Sequence, residues 1–355
     1  MKKTKLNFLI FLTMTTIIFF SNIALAELEA PVPISGNSSS LGPGYWRVTI
    51  PEAENPTPYD RYYNVYIPES YNVNEPSPLL LHIHGVYDTA HAQHEKSRFN
   101  EQADKPENNF IIVYPEGHNK SFNALECCGD AMDEGIDDTG LMLTIIDNIS
   151  GKAAINSNRI YASGHSNGAA ITHLLACKHS DVFAAVATIS MNNPIANPDF
   201  YDNEACTPVR RVPIISFMGI GYQDWAGGWH GDWFNYFKGI NRDLYGCNFL
   251  KLFFPEYGEF CDNRYNIGFK KDFEFWGEKN GCSEYITHEK IGINDNVSHP
   301  AYSTTYIDCE DRVEVAYYHL RAEHTTVFDD AIDDGINIAE VAWDFLSGYT
   351  LDSVQ

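Results

Sequence analysis

The sequence predicts an α/β chain on a doubly wound, mostly parallel sheet, and three observations predict it. Seven apolar runs between residues 62 and 320 have the length of strands. Several are nearly continuous rather than alternating, the pattern of strands buried on both faces. Helix-like stretches lie between and after them, at about 137–151, 167–178 and 331–347. Strands alternating with helices build a parallel sheet whose ligands sit at the strand ends.

The elements follow in chain order. Lys2, Lys3 and Lys5 precede a short apolar run from Leu6 to Phe20, and Ala24-Leu25-Ala26 follows. A basic start, an apolar core and an A-x-A site read as a secretory signal over 1–26, cut after Ala26. The run is short for a membrane span and holds Asn7, Thr13, Thr15 and Thr16. Export to the periplasm or the outside is therefore expected, with no membrane contact after cleavage. Residues 27–60 are expected to form a leader and first strand region, of which 30–44 (APVPISGNSSSLGPG) is rich in Pro, Gly and Ser. The remainder, 61–355, is expected to be the catalytic domain.

Its strands are predicted at 62–68 (YYNVYIP), 79–84 (LLLHIH), 110–115 (FIIVYP), 159–163 (RIYAS), 183–190 (FAAVATIS), 212–218 (VPIISFM) and 313–320 (VEVAYYHL). One stretch breaks the rhythm: from Trp229 to Phe275, 15 of 47 residues are aromatic, and Cys247 and Cys261 lie within it. It reads as an insertion at about 229–275, most of whose aromatics form a small core of their own. Trp225, Trp229 and Trp233 are the candidates for lining a cleft.

A net charge of −24 excludes nucleic acid as the working partner, because phosphate binding needs Lys and Arg to displace counterions. It also speaks against an anionic membrane surface. The acidic runs Asp130, Asp133, Glu134, Asp137, Asp138 and Asp329, Asp330, Asp333, Asp334 match no EF-hand spacing and read as solvated faces and helix starts, so no metal is expected. His82 and His84 alternate within a buried strand and read as core or supporting groups. All eight cysteines (127, 128, 177, 206, 247, 261, 282 and 309) follow the signal, and an even count in an exported chain reads as four disulfides.

Gly164-His165-Ser166-Asn167-Gly168 is the sharpest local signal. The strand RIYAS runs into it and the helix-like AAITHLLAC leaves it, which is the strand–turn–helix of a nucleophile elbow. A serine hydroxyl needs a base, itself oriented by a carboxylate, and in this arrangement the chain order is Ser, acid, His. His324, in the loop after strand 313–320, is the candidate base, ahead of His319 and His299. Asp224, in the loop after VPIISFM, is the candidate acid, with Asp232 next. The oxyanion donors are expected to be the N–H of Asn167, after the nucleophile, and of Val86, after Gly85. Such chemistry calls for no cofactor.

In order, RYYNVYIP, HIHG, IIVYPEG, CCG…IDDTG, RIYASGHSNGAAITHLLAC, FAAVA, WGEKNGC and EHT before AEVAWDF resemble the polyhydroxybutyrate depolymerase and feruloyl esterase family of secreted α/β-hydrolases, over roughly 60–346. The resemblance implies the α/β-hydrolase fold and a serine carboxylic-ester hydrolase with Ser166 as nucleophile and His324 as base. Its substrate would be a plant cell-wall or polyester type of ester. An acyltransferase on the same fold and a binding protein that has lost catalysis are the other readings. His-Ser-Asn at the elbow is closer to the feruloyl esterases. The family usually carries a His-Gly-Thr-x-Asp stretch where this chain reads FMGIGYQD. The resemblance also implies that Asp137 and Asp138 are a structural acidic pair. It further implies ties from Cys127 and Cys128 to Cys177 and Cys206, and from Cys282 to Cys309, leaving Cys247 with Cys261.

Overall fold

The computed structural model describes residues 34–35, 39–125, 129–193, 206–219, 269–289, 301–320, 328 and 335–354. All of them lie in one compact unit, Pro33–Gln355. The strands are β1 (Ile34–Ser35), β2 (Gly44–Thr49), β3 (Tyr62–Ile67), β4 (Ser77–Ile83), β5 (Ile111–Pro115), β6 (Ile155–His165), β7 (Ala185–Ile189), β8 (Ile214–Gly219), β9 (Tyr285–Glu289), β10 (Tyr302–Tyr306) and β11 (Val315–Leu320). The helices are α1 (Ala90–Ser97), α2 (Phe99–Ala103), α3 (Asp130–Asp133), α4 (Asp138–Ser150), α5 (Asn167–Lys178), α6 (Phe269–Lys279) and α7 (Ile338–Ser347).

The described strands form one sheet in the order β1-β2-β3-β5-β4-β6-β7-β8-β11-β10-β9. From β5 to β11 all neighbours are parallel. Antiparallel pairs flank this block, β2–β3–β5 on one side and β11–β10–β9 on the other. All seven predicted strands are present. Their uninterrupted apolar character follows from burial on both faces. Leu79, Leu81 and Ile83 of β4 join one core, while Leu80 joins the other. In β8, Ile214 and Met218 face the first core and Ile215 and Phe217 the second.

The chain reverses its direction of travel across the sheet at β4. Strand β5 lies on one side of β4, and β6 and everything up to β8 lie on the other. Right-handed crossovers running in opposite directions must use opposite faces of a sheet. Accordingly, α2, between β4 and β5, sends Phe99 and Ala103 into the second core, where Ile338, Ala342 and Trp343 of α7 join them. Helices α4 and α5 pack Leu141, Ile145, Ile149, Leu174 and Leu175 into the first core. A reversal of this kind opens a crevice at the carboxyl ends of the strands around it, here β4 and β6.

Several of the described elements escape the sequence pattern. Helix α1 (AHAQHEKS) has almost no apolar stripe and is set by its cap, with Thr89 accepting from Ala92 N–H at 3.1 Å. Strands β9 (YITHE), at the sheet edge, and β10 (YSTTY), between β9 and β11, carry Thr and Tyr in place of an apolar run. Helix α6 starts within the stretch read as the insertion and runs past its end at 275.

The disulfides correct one expectation. Cys177, in the last turn of α5, is bonded to Cys206, with their Cα atoms 4.7 Å apart, so neither is available to Cys127 or Cys128. Both cysteines are buried at the place where the chain returns toward β8. The expected Cys282–Cys309 bond is present and ties the segment after α6 to the turn between β10 and β11. Loops of 29 and 27 residues closed in this way stabilise the fold by about 3–4 kcal/mol each in the chain-entropy model.

Candidate active site

The end of β6 and the start of α5 meet in a turn so tight that only Ser166 separates them. Ser166 has φ 53° and ψ −119°, a conformation that side-chain-bearing residues rarely adopt. It is anchored by its own N–H, which donates to Ile189 O on β7 at 2.8 Å. Strain held by surrounding structure at one residue is a mark of a functional position. Two glycines make the turn possible. A Cβ on Gly164 would lie 2.2 Å from the backbone of Gly168, and one on Gly168 would lie 2.2 Å from the carbonyl oxygen of Ile83. Helix α5 therefore starts almost in contact with the end of β4.

The loop after β4 lies against the serine. A Cβ on Gly85 would stand 3.2 Å from Ser166 Cβ and 3.3 Å from His165 Nδ1. This loop is held from behind by His84. Its Nε2 accepts from Gly117 N–H at 3.0 Å, so the ring proton sits on Nδ1 and is donated to Gly85 O at 2.7 Å. Burial lowers the His84 pKa to about 4, so the imidazole stays neutral and keeps both bonds across ordinary pH. Two residues beyond Gly85, Tyr87 takes φ 63° and donates its N–H to Lys120 O at 2.8 Å. The turn is closed by Asp88 N–H on Gly85 O at 3.2 Å. His82, the other histidine of the strand, accepts from the Gln93 amide at 2.6 Å, and burial drives its pKa well down.

Asn167 supports the same arrangement from the helix side. It is fully buried; its Oδ1 accepts from Phe122 N–H at 2.8 Å and its Nδ2 donates to Phe122 O at 2.9 Å. The amide thus copies one rung of a sheet ladder and ties the first turn of α5 to the segment beside it. That segment is held in turn by Arg61, which donates to Glu116 O at 2.9 Å and to Asp138 Oδ1 at 2.8 Å. Asp138 Oδ2 accepts Asn123 N–H at 2.7 Å, and Asp137 caps α4 through Gly140 N–H at 2.9 Å. The acidic pair expected from the resemblance therefore braces the loop: one carboxylate is in a buried ion pair, the other is a helix cap.

Of the residues read from the sequence, the structure brings together Ser166, Asn167 and the Gly85–Val86 turn. Asp224, His324, Trp225, Trp229, Trp233, Cys127, Cys128, Cys247 and Cys261 lie outside the described residues. Strand β8 ends at Gly219, five positions before Asp224, and β11 ends at Leu320, four before His324. Four residues beyond His324, the Phe328 ring sits 5.5 Å from His165 and 6.0 Å from His82. Among the described residues no group of three His, Cys, Asp or Glu side chains is placed to hold a metal ion. The clamps formed by Gly117, Phe122, Gln93 and Arg61 were not singled out from the sequence. Their partners are between 11 and 77 positions away along the chain, and no local spacing announces them.

Residues 61–193 match the model of the family described as esterase PHB depolymerase. Feruloyl esterase B of Piromyces equi is 24% identical over 81% of this chain and 45% of its own length. The poly(3-hydroxyalkanoate) depolymerase C of Paucimonas lemoignei is 32% identical over 32% of this chain and 28% of its own. The chain thus spans less than half of either relative. Among solved structures, an acetyl xylan esterase from Aspergillus awamori aligns with TM-score 0.43 and 13% identity over 77% of this chain and 92% of that one. Residues 61–193, which carry Ser166, its flanking glycines and the loop after β4, are thus the part of the chain that is similar to the esterase PHB depolymerase family, and they lie on the mostly parallel part of the sheet.

Proposed function

We propose that the chain is an exported serine carboxylic-ester hydrolase. One observation carries the reading above the others: a strained, anchored serine at the switch point of the sheet, with a glycine turn lying against its Cβ. In this mechanism His324 takes the proton of Ser166 as its hydroxyl attacks the ester carbonyl, and Asp224 orients the imidazole. The N–H groups of Asn167 and Val86 hold the oxyanion of the tetrahedral intermediate. Collapse expels the alcohol, protonated by His324, and leaves an acyl group on Ser166. Water then repeats the sequence and releases the acid. No cofactor enters any of these steps.

Phe328 against His165 supports His324, since both ends of that loop stand on the strand-end side where Ser166 lies. The placing of Asp224 rests on its position in the loop after β8. The feruloyl and 3-hydroxyalkanoate groups named for the relatives are the acyl classes to try first, with Trp225, Trp229 and Trp233 as the substrate-facing candidates. The basic, A-x-A-terminated start supports export, and none of the described helices is long and apolar enough to cross a membrane.

The test is hydrolysis of p-nitrophenyl acetate and butyrate, methyl ferulate, acetylated xylan and hydroxybutyrate oligomers by oxidatively folded protein, beside Ser166→Ala. Loss of the nucleophile should lower turnover by about 10⁶, to the limit of detection. A folded wild type that turns over none of the panel would overturn the proposal.

A further inference from the structure

The turn that lies against Ser166 carries an exposed ring at its far corner. Asp88 N–H donates to Gly85 O at 3.2 Å, so Val86 and Tyr87 are the two central residues of the turn. Tyr87 has φ 63° and is 79% exposed. We propose that Tyr87 is a specificity-determining residue, whose ring packs on the apolar group of an ester held at Ser166.

The fold gives no account of a tyrosine here. A corner with positive φ is taken by Gly or Asn without steric cost, whereas a bulky residue there strains the backbone. Among the described residues no hydrogen bond, ion pair or ring contact holds the side chain, and only the main chain is tied down. The same combination occurs once more. Of the described non-glycine residues with positive φ, only Tyr87 and Leu125 have large apolar side chains, and Leu125 is 46% exposed. Leu125 lies three residues beyond Phe122, the partner of Asn167, and so belongs to the other segment bonded to the nucleophile turn. Strain of this kind collects where a ligand, rather than the fold, uses the residue.

Chain geometry brings the ring within reach of a bound ester. A Cβ on Gly85 would stand 3.2 Å from Ser166 Cβ, and two peptide units carry the chain at most about 7.6 Å from Gly85 to Tyr87. The residue between them is Val86, the proposed oxyanion donor, so a carbonyl seated there has Tyr87 as the next side chain along the turn. The base of the ring is rigid. Tyr87 N–H is held by Lys120 O at 2.8 Å, and Asp88 accepts Thr89 N–H at 2.9 Å and pairs with Lys96. Only the two side-chain torsions of Tyr87 remain to be ordered on binding, a small entropic cost for a large contact. Covering the ring with an apolar group takes both surfaces out of water, so the gain grows with the apolar size of the ester. This role rests on the esterase reading of Ser166 and adds to it the side chain that sorts esters by apolar bulk.

The test compares the full chain with Tyr87→Ala and Tyr87→Phe on two ester series. The p-nitrophenyl esters of acetate, butyrate and hexanoate vary the acyl group; ethyl, butyl and phenyl acetate vary the alcohol. In at least one series Tyr87→Ala should lower the kcat/KM ratio of the largest to the smallest ester by about tenfold, mainly through KM, and Tyr87→Phe, which keeps the ring, should preserve it. Both variants should melt with the wild type, and a lower melting temperature in Tyr87→Ala would assign the ring to the fold instead. With Ser166→Ala as background, isothermal titration with p-nitrophenyl butyrate reads the same contact without turnover, and Tyr87→Ala should weaken binding. The role is overturned if Tyr87→Ala lowers turnover of every ester alike or of none, or if it leaves the titrated affinity unchanged. The esterase reading fails separately: the wild type would hydrolyse none of these esters while the titration still showed binding that depends on Tyr87.

Discussion

Replacing Asn167 by aspartate exchanges an amide nitrogen for an oxygen and separates the two tasks of that side chain. The residue is fully buried, and its Nδ2 donates to Phe122 O while Oδ1 accepts Phe122 N–H. With an ionised carboxylate in its place the second bond survives and the first becomes an oxygen facing an oxygen. Leaving Phe122 O unsatisfied costs about 1–3 kcal/mol. The buried carboxylate adds desolvation, so about 2–4 kcal/mol in total is reasonable. At roughly 2.1 cal/mol/K of unfolding entropy per residue, a chain of this size loses about 1.5 °C per kcal/mol, or some 3–6 °C of Tm. Protonation restores the donor. Burial raises the folded pKa of the new carboxyl above its unfolded value near 3.9, so the deficit is absent below about pH 4 and grows as pH rises through the folded pKa. Asn167→Ala loses both bonds and shows no such recovery. The assay is differential scanning fluorimetry of wild type, Asn167→Asp and Asn167→Ala from pH 4 to pH 8. A pH-independent deficit in Asn167→Asp, equal to that of Asn167→Ala, would refute the two-bond clamp.

Three further perturbations read other parts of the structure. Gly168→Ala places a methyl 2.2 Å from Ile83 O, so α5 must lift off β4; either no soluble protein or a loss of more than a hundredfold in ester turnover is expected, with near-normal activity counting against the geometry. Burial pushes Asp272 up to about 7. Its contribution to stability is therefore complete below about pH 4 and lost as pH rises to about 7, at up to about 1.4 kcal/mol per pH unit. Asp272→Asn should flatten that fall in urea-unfolding measurements while removing none of the acceptor capacity used by Tyr317 at 2.8 Å. Arg61→Met strands the buried Asp138 carboxylate and should cost about 3–5 kcal/mol, of which Arg61→Met with Asp138→Leu recovers the greater part; an additive double variant would contradict the ion pair.

The parallel block of the sheet was legible because double burial leaves its runs apolar at every position, as in Leu79-Leu80-Leu81 and Ile111-Ile112-Val113. Helices α4 and α5 were legible for the same reason, since Leu141, Ile145, Ile149, Leu174 and Leu175 recur on one face. The nucleophile turn was legible because its steric demand falls on two residues within five positions of sequence, Gly164 and Gly168. What holds it in place was not. His84 finds Gly117, Asn167 finds Phe122 and Arg61 finds Asp138 only after the sheet has assembled. Strand β10, with Ser303 and two threonines, carries too little apolar signal to be separated from a loop, and its place is dictated by pairing with β11. The Cys177–Cys206 bond shows the same limit, because cysteine counting constrains how many partners exist and not which ones meet.

The short stretch from Gly117 to Phe122 is bonded at both ends and in the middle: to His84, to Tyr87 through Lys120 O, and to Asn167. The two proposed oxyanion donors come from opposite sides of this stretch, so the spacing between them is recorded in its length. That makes it a gauge block rather than a connector. A single inserted or deleted residue there would detune the pair of donors even if every catalytic side chain were kept, whereas the outer faces of α4 and α7 tolerate change. Variation in substrate range among chains of this architecture should accordingly be written in side chains along this stretch and hardly ever in its number of residues.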